Sequence, residues 1–285
     1  MKKNYLISLL FILGSVVTKA QLVTFQKTFG GSGIEAGRAG FQTNEGGYII
    51  LGNTTSFGEG GADAYLLKTD SDGNSQWSKT YGGTGDEDGF FIQQTNDGGF
   101  IVCCETRSFG AGDWDIYLIK TASDGTLQWS KTFGGTGIDE GYSVQQNTDG
   151  GYVVAGVTFS YGAGYEDVYL IKTDSNGSLQ WTRTFGGTGV DNGYSFQQTN
   201  DGGFIITGTT NSFGGNDGFL VKTDSDGNLQ WSKTIDSCAG GSIQQTTDGG
   251  FIMSGVTGFG AGNGDMYLAK MVSDGNIQWS KAFGG

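Results

Sequence analysis

Gly141-Tyr142-Ser143-Val144-Gln145-Gln146, Thr148-Asp149-Gly150-Gly151 and Tyr152-Val153-Val154-Ala155-Gly156 make the first half of a unit. After a longer loop, Asp167-Val168-Tyr169-Leu170-Ile171-Lys172, Asn176-Gly177 and Leu179-Gln180-Trp181-Thr182-Arg183 complete it. Four short runs rich in β-branched and aromatic residues, punctuated by Asp-Gly and Asn-Gly, predict four strands joined by tight turns. The unit recurs along the chain: Trp77, Trp129, Trp181, Trp231 and Trp279 lie 52, 52, 50 and 48 residues apart, each inside Gln-Trp-Ser-Lys or Gln-Trp-Thr-Arg. Phe25 holds the same place in an earlier copy, Val23-Thr24-Phe25-Gln26-Lys27-Thr28-Phe29.

A period near 50 residues with four strands per period predicts an all-β chain, a β-propeller of five four-stranded antiparallel blades. The repeats fall at about residues 30–81, 82–133, 134–185, 186–235 and 236–285, within one domain spanning 21–285. The Trp/Phe strand occurs six times and the other three strands five times, because both ends carry a copy of it. The expectation is a closed five-bladed ring, with the N-terminal strand added to the last blade as a fifth strand or awaiting a blade that this chain lacks.

The Asn-Gly or Asp-Gly pair between the third and fourth strands suggests a two-residue turn of type I′. Counting outward from Asn176-Gly177 sets Lys172 opposite Trp181, and the same count pairs Lys68, Lys120, Lys222 and Lys270 with the other tryptophans. A lysine stem across an indole would place its ammonium on the ring face. The words Asp70-Ser71-Asp72-Gly73 and Asp224-Ser225-Asp226-Gly227 resemble part of a calcium loop, but no twelfth-position glutamate is in register. Hairpin turns are therefore the preferred reading, calcium the lesser one, and no cofactor is expected.

Composition narrows the chemistry. Glycine supplies 55 of 285 residues, against a usual ~7%, without proline or a G-X-Y period, so collagen is excluded. Histidine is absent, which removes the Ser-His-Asp triad, the Cys-His dyad and imidazole-held zinc. Residues 1–20, with Lys2-Lys3, an apolar run from Tyr5 to Val17 and Thr18-Lys19-Ala20, read as a secretory signal peptide cut after Ala20. Loss of Lys2, Lys3 and Lys19 takes the formal charge from −13 to −16. Such acidity opposes binding to nucleic acid or anionic lipid, and no membrane insertion is expected after cleavage. Three cysteines, Cys103, Cys104 and Cys238, write no disulfide framework and read as small buried fillers.

The words KTFGGTG (Lys131–Gly137), QQTNDGGF (Gln93–Phe100) and YLIKTDSDGN, the last in close variants such as Tyr169–Gly177, resemble those of poorly characterised secreted bacterial repeat proteins. The resemblance covers residues 22–285 and implies a kelch-like propeller located outside the cell or in the periplasm. The kelch hallmark is partly met: one glycine (Gly52, Gly156, Gly208, Gly255) ends the second strand, and Cys104 replaces it in one copy.

In such a blade the tight hairpins share one rim and the long loops the other, which makes the long-loop rim the expected binding face. Its serial acids, Glu35, Glu87, Asp139 and Asp191 in one loop and Asp63, Asp115, Asp167, Asp217 and Asp265 in the other, are expected to tie down loop amides. If the first strand is innermost, one glutamine of each pair, such as Gln93-Gln94 and Gln145-Gln146, is expected to line a wet central channel. Departures from the repeat mark the candidate site: Asp113 and Trp114, with Tyr161, Tyr165 and Glu166, an aromatic platform beside carboxylates. The leading expectation is a secreted, non-enzymatic scaffold presenting this face to glycan or protein at the cell envelope. The alternatives are a glycosidase-like carbohydrate-active enzyme using loop carboxylates such as Glu105 or Glu166, and a structural part of a longer adhesin-like surface protein.

Overall fold

The computed structural model describes residues 26–258 and 264–284; the predicted signal peptide, its cleavage point and Phe25 lie outside the described residues. The described residues form five four-stranded antiparallel sheets, each built from consecutive strands. The first strands are β1 (Glu35–Gln42), β5 (Glu87–Gln94), β9 (Asp139–Gln146), β13 (Asp191–Gln198) and β17 (Cys238–Gln245). The second strands are β2 (Tyr48–Thr54), β6 (Phe100–Thr106), β10 (Tyr152–Thr158), β14 (Phe204–Thr210) and β18 (Phe251–Thr257). The third are β3 (Asp63–Thr69), β7 (Asp115–Thr121), β11 (Asp167–Thr173), β15 (Asp217–Thr223) and β19 (Asp265–Met271). The Trp-bearing fourth strands are β4 (Ser75–Tyr81), β8 (Leu127–Phe133), β12 (Leu179–Phe185), β16 (Leu229–Ile235) and β20 (Ile277–Phe283).

Packing between blades follows from strand alternation. Alternate side chains of the second and third strands, such as Cys103, Ile116 and Leu118, face the following blade and are fully buried. Each such side chain is worth about 1.5–3 kcal/mol when removed from water. A glycine on the next first strand makes room: a Cβ on Gly141 would lie 2.5 Å from Cys103 Sγ. Tryptophans extend the contact, with ring centroids of Trp77 and Phe100 6.2 Å apart, Trp129 and Tyr152 5.6 Å, Trp181 and Phe204 6.2 Å, and Trp231 and Phe251 6.0 Å. First strands of successive blades pack together, so this strand is innermost.

The glutamines work differently from expectation. Gln93 Oε1 accepts from the amide of Gln146 (2.8 Å), while Gln146 Oε1 accepts from Asn96 N (2.9 Å). Both members of the pair stitch neighbouring blades together, because an inner strand end carries backbone donors that its own sheet does not satisfy.

The third hairpin corrects a second expectation. Gly177 N donates to Asp174 O and Asp174 N to Ser178 O, with φ +76° at Gly177 and no positive φ at Asn176. This is a turn over Asp174–Gly177 with glycine in the left-handed position, not a two-residue type I′ turn. Thr173 then pairs with Leu179, and a bulge at Gln180 restores Lys172 opposite Trp181. All five Lys–Trp pairs are present. The ammonium groups, however, leave the indoles: Lys120, Lys172, Lys222 and Lys270 bind Asp97, Asp149, Asp201 and Asp248 of the first hairpin at 2.7–2.9 Å. A carboxylate beats a ring quadrupole for a buried ammonium because it meets full charge with full charge.

The closed ring is overturned. Each blade packs on the next, but β17–β20 have no such packing against β1–β4. The outer face of the fifth blade is accordingly open: Trp279 is 41% exposed and Phe283 51%, where the equivalent Phe185 is 9%. Residues 26–29 do not join the last blade either. Lys27 Nζ donates to Asn74 Oδ1 of the first blade, the same contact that Lys233 makes with Asn276 one blade on. Phe29 helps to line a groove of about 480 Å³ with Phe41 and Ile50 there. The cysteines are free and buried, Cys104 in the core between the first two blades and Cys103 in the next, as opposite faces of one strand require.

Candidate functional site

Individuality concentrates at the end of the inner strands nearest the long loops. Register aligns five cross-strand pairs there: Ala36 with Asn53, Asp88 with Glu105, Glu140 with Val157, Asn192 with Thr209, and Ala239 with Val256. Two residues further along the inner strand stand Arg38, Phe90, Tyr142, Tyr194 and Gly241. The frame repeats while these side chains vary from blade to blade, and at these positions acids gather where the second and third blades meet.

Asp88 and Glu105 are like charges directly opposite one another, an arrangement that opposes folding. Glu105 is 7% exposed, and its Oε2 is buried without a hydrogen-bond partner; Asp88 Oδ1 is likewise orphaned. Burial, reinforced by the charges of Glu140 and Asp88 against the weaker pull of Arg107 and Arg38, pushes the Glu105 carboxyl up to about 8. Arg38 Nη2 instead pairs with Asp88 Oδ2 at 2.8 Å. Tyr142 donates its hydroxyl to Glu140, and its ring lies 5.9 Å from Phe90 and 6.3 Å from Tyr194, a row of aromatics across three blades.

The loop residues singled out by sequence divide into two groups. Asp113 and Trp114 are joined by Arg107, whose Nε meets Asp113 Oδ1 at 2.9 Å and whose guanidinium carbon lies 4.3 Å over the Trp114 ring. Arg107 follows β6 and acts on Glu105, so this trio flanks the acidic pair. Glu166 is half-buried, and its carboxyl is raised by burial and then by Glu140 and Asp191, which ties it to the same region. Tyr161 belongs to the frame: its ring lies 5.7 Å from Tyr169, as Phe109 lies 5.3 Å from Tyr117. Tyr165 stands apart at 76% exposure, fixed through its backbone to Gly189 O.

Sequence reading missed Arg38, Asp88, Phe90, Glu140, Tyr142 and Tyr194. The signal was available, since aligning the five inner strands exposes the variable positions; attention to loops alone hid it. The serial loop acids do tie down amides: Glu87 Oε2 accepts from Gly83 N (2.9 Å), Asp139 Oδ2 from Gly135 N (2.8 Å) and Asp115 Oδ2 from Ala111 N (2.8 Å). Asp70 Oδ1 likewise accepts from Asp72 N and Asn74 N inside its turn. Among the described residues no group of three acids or cysteines is arranged to hold a metal ion.

No family model matches the chain, and no curated protein matches it in sequence. Solved structures are similar in fold. A protein of unknown function from Dyadobacter fermentans DSM 18053 superposes with TM-score 0.55 at 11% identity, over 88% of this chain and 83% of that one. The Dos1 propeller superposes with TM-score 0.56 at 12% identity, over 88% of this chain and 59% of that one. At such identities the likeness concerns the fold, a β-propeller.

Proposed function

We propose that the chain is a secreted, non-enzymatic β-propeller scaffold that binds a glycan or protein ligand at or outside the cell envelope. The observation that supports it is the aromatic row Phe90, Tyr142 and Tyr194, present in three of the five blades, beside the acids Asp88, Glu105 and Glu140, which gather at one blade junction. Aromatic faces stack on sugar rings or apolar side chains, and carboxylates accept their hydrogen bonds. Trp114, with Arg107 and Asp113, forms the loop-side edge of this surface. Glycan arrays and pull-downs test the reading: Tyr142→Ala should abolish a detected interaction and Tyr165→Ala should leave it intact. An interaction untouched by Tyr142→Ala and Trp114→Ala refutes the site.

A second reading, a glycosidase-like enzyme, is favoured by one feature. A carboxyl held protonated near neutrality beside carboxylates is how a general acid and its partner are set apart. Polysaccharide turnover that disappears in Glu105→Gln would establish it, and absence of turnover across a polysaccharide panel would dismiss it.

A further inference from the structure

Buried side-chain oxygens at the mouth of the inner strands lack partners: Asn53 Oδ1 in the first blade, and Asp88 Oδ1 with Glu105 Oε2 in the second, the latter two on residues directly opposite each other. Buried acceptors in folded proteins are almost always satisfied, so a pair of orphans side by side marks a place where a donor belongs. The charged groups around them cannot serve. Arg38 of β1 is engaged by Asp88 Oδ2, and Arg107, after β6, is held by Asp113 and by the Trp114 face. Glu140 of β9 takes the Tyr142 hydroxyl and has no cation, and Glu166 before β11 adds a further acid. The proton on Glu105 can serve one of the two oxygens below pH 8; the single group that would serve both, with Glu140 beside them, once that proton is gone is a donor carrying positive charge.

We infer that this mouth binds an organic ammonium group, its N–H donors on Asp88, Glu105 and Glu140 and its carbon body against Phe90 and Tyr142. The inference rests on the binding reading above and names its ligand chemistry. An ammonium offers three donors and no acceptor, which matches the cluster once Glu105 has given up its proton and only acceptors remain. The aromatic row adds attraction for a cation and cover for its carbon skeleton. A bare metal ion fits less well, since the acids are not grouped with metal-holding geometry among the described residues. Restriction of the acid pair to one blade junction, against Ala36/Asn53, Asn192/Thr209 and Ala239/Val256 elsewhere, separates it from the frame.

Titration calorimetry of the whole chain with three probes tests this: a glucosamine tetramer, its fully N-acetylated counterpart, and 1,5-diaminopentane. The cation must displace the proton that Glu105 carries below pH 8, so binding of 1,5-diaminopentane, whose amines are fully protonated at pH 7, should release up to about one proton, read by repeating the titration in buffers of different ionisation enthalpy. Glu105→Gln should weaken binding about tenfold or more and remove the proton release. Should that variant fold poorly, Asp88→Asn gives the affinity comparison, with weaker binding expected and the proton release of Glu105 retained. Binding of the glucosamine tetramer alone identifies a sugar-borne ammonium; binding of the diamine alone identifies an alkyl one. Equal binding of the acetylated and free tetramers overturns the inference while leaving a glycan-binding scaffold in place. Failure of both ammonium probes, or binding unchanged in Glu105→Gln, also overturns it.

Discussion

Replacing Asp97 by Asn should destabilise the second blade by about 2 kcal/mol, and should do so only while Lys120 is present. Lys120 Nζ is buried, its side chain 3% exposed, and meets Asp97 Oδ1 at 3.1 Å, Asp97 Oδ2 at 2.9 Å, Thr121 O at 2.9 Å and Gln128 Oε1 at 3.0 Å. Losing the carboxylate leaves a buried ammonium on two neutral oxygens. Breaking a fully buried pair costs about 3–5 kcal/mol, and the half-exposed Asp97 side chain reduces that figure through solvent screening. Asparagine retains the acceptor that holds Gly99 N, so the turn itself survives. Urea denaturation followed by tryptophan fluorescence, on Asp97→Asn, Lys120→Met and the double variant, measures the coupling. A value of about 1 kcal/mol or more is expected; single effects that add within about 0.3 kcal/mol would refute the role given to the pair. The pH dependence has a defined sign. Hydrogen bonds from Thr95 and Lys120, outweighing burial, lower the Asp97 carboxyl to about 2 from its ordinary 3.8. Its stabilisation is therefore complete above 3.8 and lost as pH falls towards 2, a slope that Asp97→Asn should flatten.

Glu105 has the opposite sign: raised to about 8 from 4.5, it costs the fold increasing stability as pH rises through that window. Glu105→Gln should therefore melt above the parent at pH 8.5 and alongside it near pH 4, in paired thermal scans. Trp129→Ala should cost about 2–3 kcal/mol by denaturant titration, because its ring seats on Tyr152 of the next blade. Trp279→Ala, on the open face, should cost less than about 1 kcal/mol. Cys103, Cys104 and Cys238 should be silent to a thiol reagent in the native state and react only on unfolding, since burial raises all three thiols.

The blade was legible because its signals are local. Strand alternation, turn glycines and a 50-residue period are set by neighbours in the chain, so Lys172 could be placed opposite Trp181 by counting alone. Even there the reason was incomplete: a longer turn and a bulge at Gln180 cancel in the count. The candidate site was half legible. Trp114 and Glu166 stood out as breaks in the repeat, yet Tyr161 differs from Phe109 only by a hydroxyl on the same frame position.

The amino-acid sequence by itself determined the strands, their order within each blade, the pairing of lysine with tryptophan and the absence of histidine chemistry. Only the tertiary structure decided where the lysine ammonium groups go, that the first and fifth blades do not pack together, and that Glu105 is buried opposite Asp88. The physical reason is range. Hairpin turns depend on residues a few positions apart, whereas the lysine ion pairs join residues such as Lys120 and Asp97, 23 positions apart, and contacts between blades join residues such as Arg38 and Asp88, 50 apart. A carboxylate's burial, and hence its protonation, is a property of that surrounding surface and is written in no single segment.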